Sequence, residues 1–364
     1  MSAPDERAES LRLIRDSAGS VATPADLSRV RGLRFAAPGY DRAVVARMGE
    51  MGWLSLRVAE DKGGTGLGLA ELAALAEELG RGLVPEPLVP MAAVALPLLA
   101  EAGRAAEFAD GTRIVLPALS ERANRFDPTD ISTVAEGNRL TGQKRFVAGG
   151  GGGDAFVVSA RTGTTVGAWL VAADAPGVTV GADETVDGGS FARLELQGAE
   201  GAPLLEDARI PLARTLDEAA IATAAELLGV MDRALSITLD YLRTRTQFGR
   251  KIGSFQALQH RAADLAIQVA LTRAVLDASV AAVEAGAQGT RRAGAASQAK
   301  ARASEAAMAV TRAAIQLHGG IGYTDEADIG LFLKRAIVLA ASFGNAALHR
   351  RRYASSAPPE DVDA

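Results

Sequence analysis

Arg245-Thr246-Gln247-Phe248-Gly249-Arg250-Lys251-Ile252-Gly253-Ser254-Phe255-Gln256-Ala257-Leu258-Gln259-His260 joins two long helical patterns. It gathers cations, amide side chains and two phenylalanines at a helix–turn–helix corner. Arg245 and Arg250 have the forked guanidinium that suits a phosphate. Cations at a helix C-terminus, where the macrodipole favours them, are the plainer explanation.

Before the corner, Ala220, Ala224, Leu227, Met231, Ala234, Thr238 and Tyr241 form one helical seam. Thr215 and Glu218 stand in capping-box spacing where that helix is expected to start. After the corner, residues 254–285, 291–317 and 325–353 carry three more long helical patterns joined by short Gly-containing links. Four such helices imply an antiparallel bundle. One link, Gln316-Leu317-His318-Gly319-Gly320-Ile321-Gly322-Tyr323-Thr324, leaves backbone amides open to a ligand, although a glycine-rich helix end explains it equally.

Upstream, residues 114–119, 132–135, 139–147, 155–160, 168–172 and 191–197 are short, often β-branched and separated by turn residues, which predicts an all-β block. The five glycines from Gly149 to Gly153 read as a mobile hairpin between strands. Residues 8–111 return to helical spacing, as in Val44, Val45, Met48 and Met51 before Gly52, and in Leu72, Leu75, Ala76 and Leu79 before Gly80. Between them, Gly63-Gly64-Thr65-Gly66-Leu67-Gly68 reads as a flexible connection. A phosphate loop would need a following Lys-Ser/Thr pair and a preceding strand. The expected fold class is α+β and multidomain. It has an N-terminal α-helical domain over 1–111, a central β-barrel or sandwich over 112–210, a C-terminal four-helix bundle over 211–354, and a disordered tail over 355–364.

Composition narrows the chemistry. The 364 residues include no cysteine and three histidines, His260, His318 and His349, which excludes disulfide scaffolds, thiol nucleophiles and iron–sulfur clusters and disfavours a metal site. A net charge of −5 gives no sign of a nucleic-acid surface. The N-terminus lacks the order of a signal peptide. The most apolar stretch, residues 88–100, is short and broken by Pro90 and Pro97. A cytoplasmic protein without a membrane partner is expected. Its chemistry must use carboxylates, hydroxyls, backbone groups or a borrowed cofactor.

Taken together, the corner and the Gln316 link resemble the acyl-CoA dehydrogenase family. Met51-Gly52-Trp53-Leu54, the Gly63 loop, Glu77-Glu78-Leu79-Gly80 and Leu140-Thr141-Gly142-Gln143-Lys144-Arg145-Phe146-Val147 extend the likeness over nearly the whole chain. The resemblance implies FAD as cofactor and an acyl-CoA substrate. It also implies an electron-transfer flavoprotein or similar acceptor, and assembly as a homo- or hetero-oligomer, dimer or tetramer. By the same resemblance, Arg245 would meet the pyrophosphate of a FAD held mainly by a neighbouring subunit, with Phe248 nearby and Gln256 on the same corner. Gln316, Gly319 and Gly320 would meet its adenosine or pyrophosphate, Phe146 and Val147 would lie against the flavin ring, and Ser120 would bond its pyrimidine edge.

The family reaction pairs removal of the thioester α-proton by a glutamate with hydride transfer from the β-carbon to flavin N5. In many members that glutamate precedes a glycine in the last helical segment. Aligning Lys334-Arg335-Ala336 and Gly344 puts Phe343 there, followed by Asn345 in place of a threonine. Other members carry the base on the first bundle helix, near Ala219 here. Glu218 adjoins that position, and Glu226 lies two turns along the same face. Glu226 is the candidate base, although its continuation through Arg233 and Asp240 also reads as a solvated or interfacial charge stripe. Glu326, after the glycine-rich turn, is a further carboxylate. The β-block departs as well: Arg122-Ala123-Asn124-Arg125-Phe126-Asp127 follows Ser120-Glu121, and Ala148-Gly149 stands where the family often has Thr-Asn. Three functions follow: α,β-dehydrogenation of an acyl-CoA with FAD, a non-catalytic subunit sharing FAD with a catalytic sister chain, or a flavin-dependent monooxygenase on the same scaffold.

Overall fold

The computed structural model describes residues 3–123, 127 and 129–356. Asn124, Arg125, Phe126 and the predicted tail from residue 357 onward lie outside the described residues, while Ser355 and Ser356 close the last helix. The N-terminal region holds α1 (Ala3–Ala18), α2 (Ser28–Leu33), α3 (Arg42–Glu50), α4 (Leu69–Arg81) and α5 (Leu96–Glu101), the last entered through a π-helical turn at Pro90–Ala95. Asp41 starts α3 by accepting from the Ala43 amide. The apolar spacing in α4 buries Leu69, Leu72, Leu75, Ala76 and Leu79 against the rest of the molecule.

The central sheet contains β1 (Val115–Ala118), β2 (Val134–Glu136), β3 (Arg139–Ala148), β4 (Ala155–Thr162), β5 (Thr165–Ala172), β6 (Val178–Glu184), β7 (Ser190–Glu200) and β8 (Ala202–Leu205). Its order is β6-β7-β3-β2-β4-β5-β8, with β1 pairing β4 in parallel. It does not close as a barrel and is sandwich-like. Strand β6 was not expected: it lies at the sheet edge, is largely exposed and lacks the apolar run that marks a buried strand. The five-glycine run is not a mobile hairpin. Gly150–Gly152 forms a 3-10 turn in which a Cβ at Gly150 would sit 2.4 Å from Ala192 Cβ, and one at Gly152 would sit 2.6 Å from Tyr40 Oη. The Gly63 connection is packed too, since a Cβ on Gly64 would meet the Val58 carbonyl oxygen at 2.1 Å.

The bundle comprises α6 (Arg209–Thr244), α7 (Gln256–Glu284), α8 (Gly289–His318), α9 (Ile329–Ala341) and α10 (Ala346–Ser356). Helix α6 begins earlier than the capping-box spacing implied, because Pro211 falls in its first turn, where a missing N–H costs nothing. Thr215 therefore bonds back to the Pro211 and Leu212 carbonyls, and Glu218 pairs with Arg57 at 2.9 Å. The single pattern expected over 325–353 breaks into α9 and α10 at Ser342–Asn345. By length and composition, Gln256–Glu284 and Ile329–Ser356 are apolar enough to cross a membrane, whereas the apolar segment around residues 88–100 is too short. In this fold, α7 packs on α6 and α8, and α9 packs on the same two helices. Helix α7 leaves Ile267 and Leu271 about half exposed.

Candidate active site

Two cavities meet at the helix break between α9 and α10. The larger, about 180 Å³, lies between the corner after β1, the end of β3 and the Ser342–Gly344 turn. Its walls include Ser120, Glu121, Phe146, Phe191 and Phe343. The smaller, about 90 Å³, lies among the N-terminal region, the β6–β7 connection and helices α6 and α9. Phe343 and Ser342 line both.

Local backbone geometry aims these side chains. A bulge in the β3–β7 register between Lys144 and Val147 places Phe146 at φ 61° and turns its ring out of the sheet. Phe146 then lies edge-on to Phe191, at 6.4 Å between centroids. Val147 is a correction to the sequence reading: the bulge turns it into the sheet core, and it does not line the cavity. Ser120 does line it, and its carbonyl accepts from the Arg145 amide at 2.7 Å.

Asp127 and Asp130 also line the larger cavity, but its buried carboxylate, Glu121, is committed. Glu121 accepts from Lys144 Nζ at 2.8 Å, Thr133 Oγ1 at 2.6 Å and the Ser132 and Thr133 amides. Burial raises its pKa, but the Lys144 charge and these bonds outweigh that and hold it down at about 2. Burial takes fully buried Lys144 down to about 8, against the pull of Glu121.

Glu226 is buried in the wall of the smaller cavity, which corrects its reading as part of a solvated stripe. Its Oε1 accepts from Arg335 Nη2 at 2.6 Å, and Arg335 Nη1 reaches Asp187 Oδ2 at 3.1 Å. Burial pushes the Glu226 carboxyl up, opposed by Arg335. Burial also works against the Arg335 charge, but the two carboxylates prevail and hold the guanidinium above its ordinary value. Glu218 faces Arg57, and Glu326 is exposed; neither lines these cavities.

The other predicted residues lie at the far end of the bundle. Thr246–Gln247 and Arg250–Lys251 form a two-residue hairpin around Phe248 and Gly249, at φ 54° and 76°. This presents Phe248 at 90% exposure. Arg250 lies 4.0 Å over the Phe255 ring, and Gln256 opens α7 exposed to solvent. Tyr241 stacks on His318 at 4.5 Å between centroids, which brings the Arg245 corner beside the Gln316, Gly319 and Gly320 turn. Gln316 Oε1 accepts from Tyr323 Oη at 3.3 Å. Leu216, which lines the larger cavity, and Arg245 are separated by most of α6, about 43 Å at ~1.5 Å per residue. Asp187, Lys300 and His349 carry no local motif that marks them as site residues, and Arg335 is marked only by the Lys334-Arg335 dipeptide. No cluster of metal-ligating side chains occurs among the described residues.

The comparisons agree with this architecture. Residues 8–107 match the acyl-CoA dehydrogenase N-terminal domain, and residues 211–357 match its C-terminal domain. The chain is 35% identical over 344 residues to acyl-CoA dehydrogenase IpdE2 of Mycobacterium tuberculosis, covering 92% of each. Among solved structures it is similar to a variant of the Tcur3481-Tcur3483 steroid ACAD, with TM-score 0.85, 33% identity and 98% of each chain covered. It is also similar to the ChsE4-ChsE5 complex from Mycobacterium tuberculosis, with TM-score 0.83, 29% identity and 96% of each covered. The chain belongs to the acyl-CoA dehydrogenase family, a family of FAD-dependent flavoproteins. The residues present fit that cofactor: a slot walled by Phe146, Phe191 and Phe343 suits a planar ring, and the Arg245 corner suits a pyrophosphate.

Proposed function

We propose that this chain is the FAD-sharing subunit, without the family's glutamate base at position 343, of a hetero-oligomeric acyl-CoA dehydrogenase that forms a 2,3-enoyl thioester. FAD, when bound, supplies the hydride acceptor. The observation that carries the reading is Phe343 at the seam of the two cavities, where the family often has a proton-accepting glutamate. Glu121, the carboxylate beside it, is held ionised by Lys144 and is a poor base at neutral pH.

In this reading, Arg245, Phe248, Gln256, Gln316, Gly319 and Gly320 serve a FAD whose ring lies mainly in the sister chain. The separation along α6 supports that: the corner and the chain's own aromatic cavity are too far apart for one dinucleotide. The half-exposed apolar face of α7 is available to a neighbouring subunit. The Tcur3481-Tcur3483 and ChsE4-ChsE5 neighbours, each a pair of different chains by name, support hetero-assembly. Electrons would leave to an electron-transfer flavoprotein or a similar acceptor.

The test is co-expression of the full chain with acyl-CoA dehydrogenase chains of the same genome that keep the glutamate. The expected product is a yellow complex that an acyl-CoA bleaches anaerobically, with the chain alone colourless. A yellow, bleachable chain on its own would overturn the subunit reading. It would favour a second reading in which Glu226, raised in pKa on the wall of the smaller cavity, is the base. Under that reading, Glu226→Gln abolishes the bleaching.

A further inference from the structure

Two lysines are fully buried, and they differ in one respect. Lys144 has Glu121 beside it, whereas Lys300 on α8 has no acidic partner among the described residues. Its ammonium donates to Ser304 Oγ at 3.1 Å, to the Ala340 carbonyl at 3.2 Å and to the Gly344 carbonyl at 3.0 Å. These bonds meet the C-terminal end of α9, where the macrodipole favours a cation. Beside it, His349 on α10 holds the Phe343 carbonyl with Nε2 at 2.8 Å, and its Nδ1 lies 3.3 Å from Ser297 Oγ. A carbonyl only accepts, so Nε2 carries the proton.

The captured carbonyls belong to two consecutive left-handed residues, Phe343 at φ 52° and Gly344 at φ 95°. For phenylalanine that conformation is strained and persists only where its surroundings enforce it. Space also fixes the turn, since a Cβ on Gly344 would lie 2.8 Å from His349 Nε2. With both carbonyls tied toward α8 and α10, the side chain at 343 stands in the walls of both cavities.

We propose that Lys300 and His349 are positioning residues that hold the side chain at position 343 at the seam between the larger and the smaller cavity by capturing the carbonyls of Phe343 and Gly344. The turn aims whatever side chain stands at position 343 into both cavities, and here that side chain is apolar.

Neighbouring charges leave Lys300 as the responsive group. Arg352, whose charge reaches His349, is paired with Asp217 of α6 at 2.6 Å. Burial takes Lys300 down to about 7, and His349, desolvated and near that cation, falls to about 3 and stays neutral. Loss of the Lys300 proton leaves two donors for three acceptors, Ser304 Oγ and the Ala340 and Gly344 carbonyls.

The experiment uses the full chain, without ligands, labelled with 4-fluorophenylalanine. The Phe343 fluorine resonance is identified by its loss in Phe343→Leu. Lys300→Met and His349→Ala are expected to move or split that resonance while the buried Phe108 and Phe156 signals stay in place. His349→Gln, which keeps a donor, is expected to restore it. Between pH 6 and 9 the wild-type Phe343 signal should shift, and Lys300→Met should abolish the shift. An unmoved Phe343 signal in the variants, or equal movement of all the phenylalanines, would overturn the proposal. If Lys300→Met does not fold, the His349 pair and the wild-type titration decide. Because no cofactor or acyl-CoA is present, failure here is distinct from failure of the functional reading, which the co-expressed complex tests.

Discussion

Glu226 on α6 and Arg335 on α9 are joined by a 2.6 Å hydrogen bond across 109 positions of sequence, in the wall of the smaller cavity. Arg335 also reaches Asp187 in the β6–β7 connection and the Val84 carbonyl, so one guanidinium ties together the bundle, the sheet and the N-terminal region. Removing one partner of a buried pair leaves the other charge uncompensated, typically at about 3–5 kcal/mol. Glu226→Ala is expected to destabilise the chain by about 3 kcal/mol in urea denaturation. Arg335→Met should cost more, because it strands two carboxylates. A change below about 1 kcal/mol in both would show that the pair does not hold the regions together.

Lys300 makes a prediction about pH. Its folded pKa, about 7, lies below the ordinary 10.5, so between those values the unfolded chain binds the extra proton. Stability contributed through this group therefore rises as pH rises from about 7 toward 10. The limiting slope is about 1.4 kcal/mol per pH unit. Denaturation at pH 7, 8 and 9 should show a flatter profile for Lys300→Met than for wild type. Parallel profiles would refute the assignment.

Close helix contact makes a third prediction. A Cβ on Gly229 of α6 would lie 1.9 Å from the Glu77 carbonyl oxygen on α4, and one on Gly80 would lie 2.2 Å from the Glu226 carbonyl oxygen. Backbone cannot yield as a flexible side chain does, so Gly229→Ala is expected to cost about 3 kcal/mol, at the upper end for overpacking. Gly286, where no atom lies within 4 Å of a built Cβ, is an imperfect control because its φ is 89°. Gly32, with open space and an ordinary φ, is the better one and should tolerate alanine.

Arg245 separates binding from folding. It is exposed, and its backbone rather than its side chain closes the corner, the amide donating to the Tyr241 carbonyl and its own carbonyl accepting from Ile252. Arg245→Ala should change stability by less than about 0.5 kcal/mol. FAD affinity in the co-expressed complex should fall at least about tenfold, equivalent to ~1.4 kcal/mol. Thermal denaturation of the chain and flavin content of the complex read the two effects independently, and unchanged flavin content would remove Arg245 from the site.

Features set by a few neighbouring residues were legible in the chain itself. The α–β–α order follows from local periodicity and turn chemistry. The Phe248-Gly249 corner and the Gln316 to Gly320 turn carry their signal within a short segment. Edge strand β6 was not legible, because an exposed strand has no buried face to impose alternation. Helix α6 began early because a first-turn proline is tolerated there.

What tertiary structure alone decided is the state of the charges. In sequence, Glu226, Arg233 and Asp240 look like one stripe at seven-residue steps; in the fold, Glu226 is buried against Arg335 while Asp240 is exposed. Likewise, nothing near Lys300 in the chain foretells that its ammonium serves carbonyls forty and forty-four positions away. The physical reason is range: propensity, capping and turn geometry act over a few residues, whereas burial and ion pairing depend on which distant surfaces exclude water together.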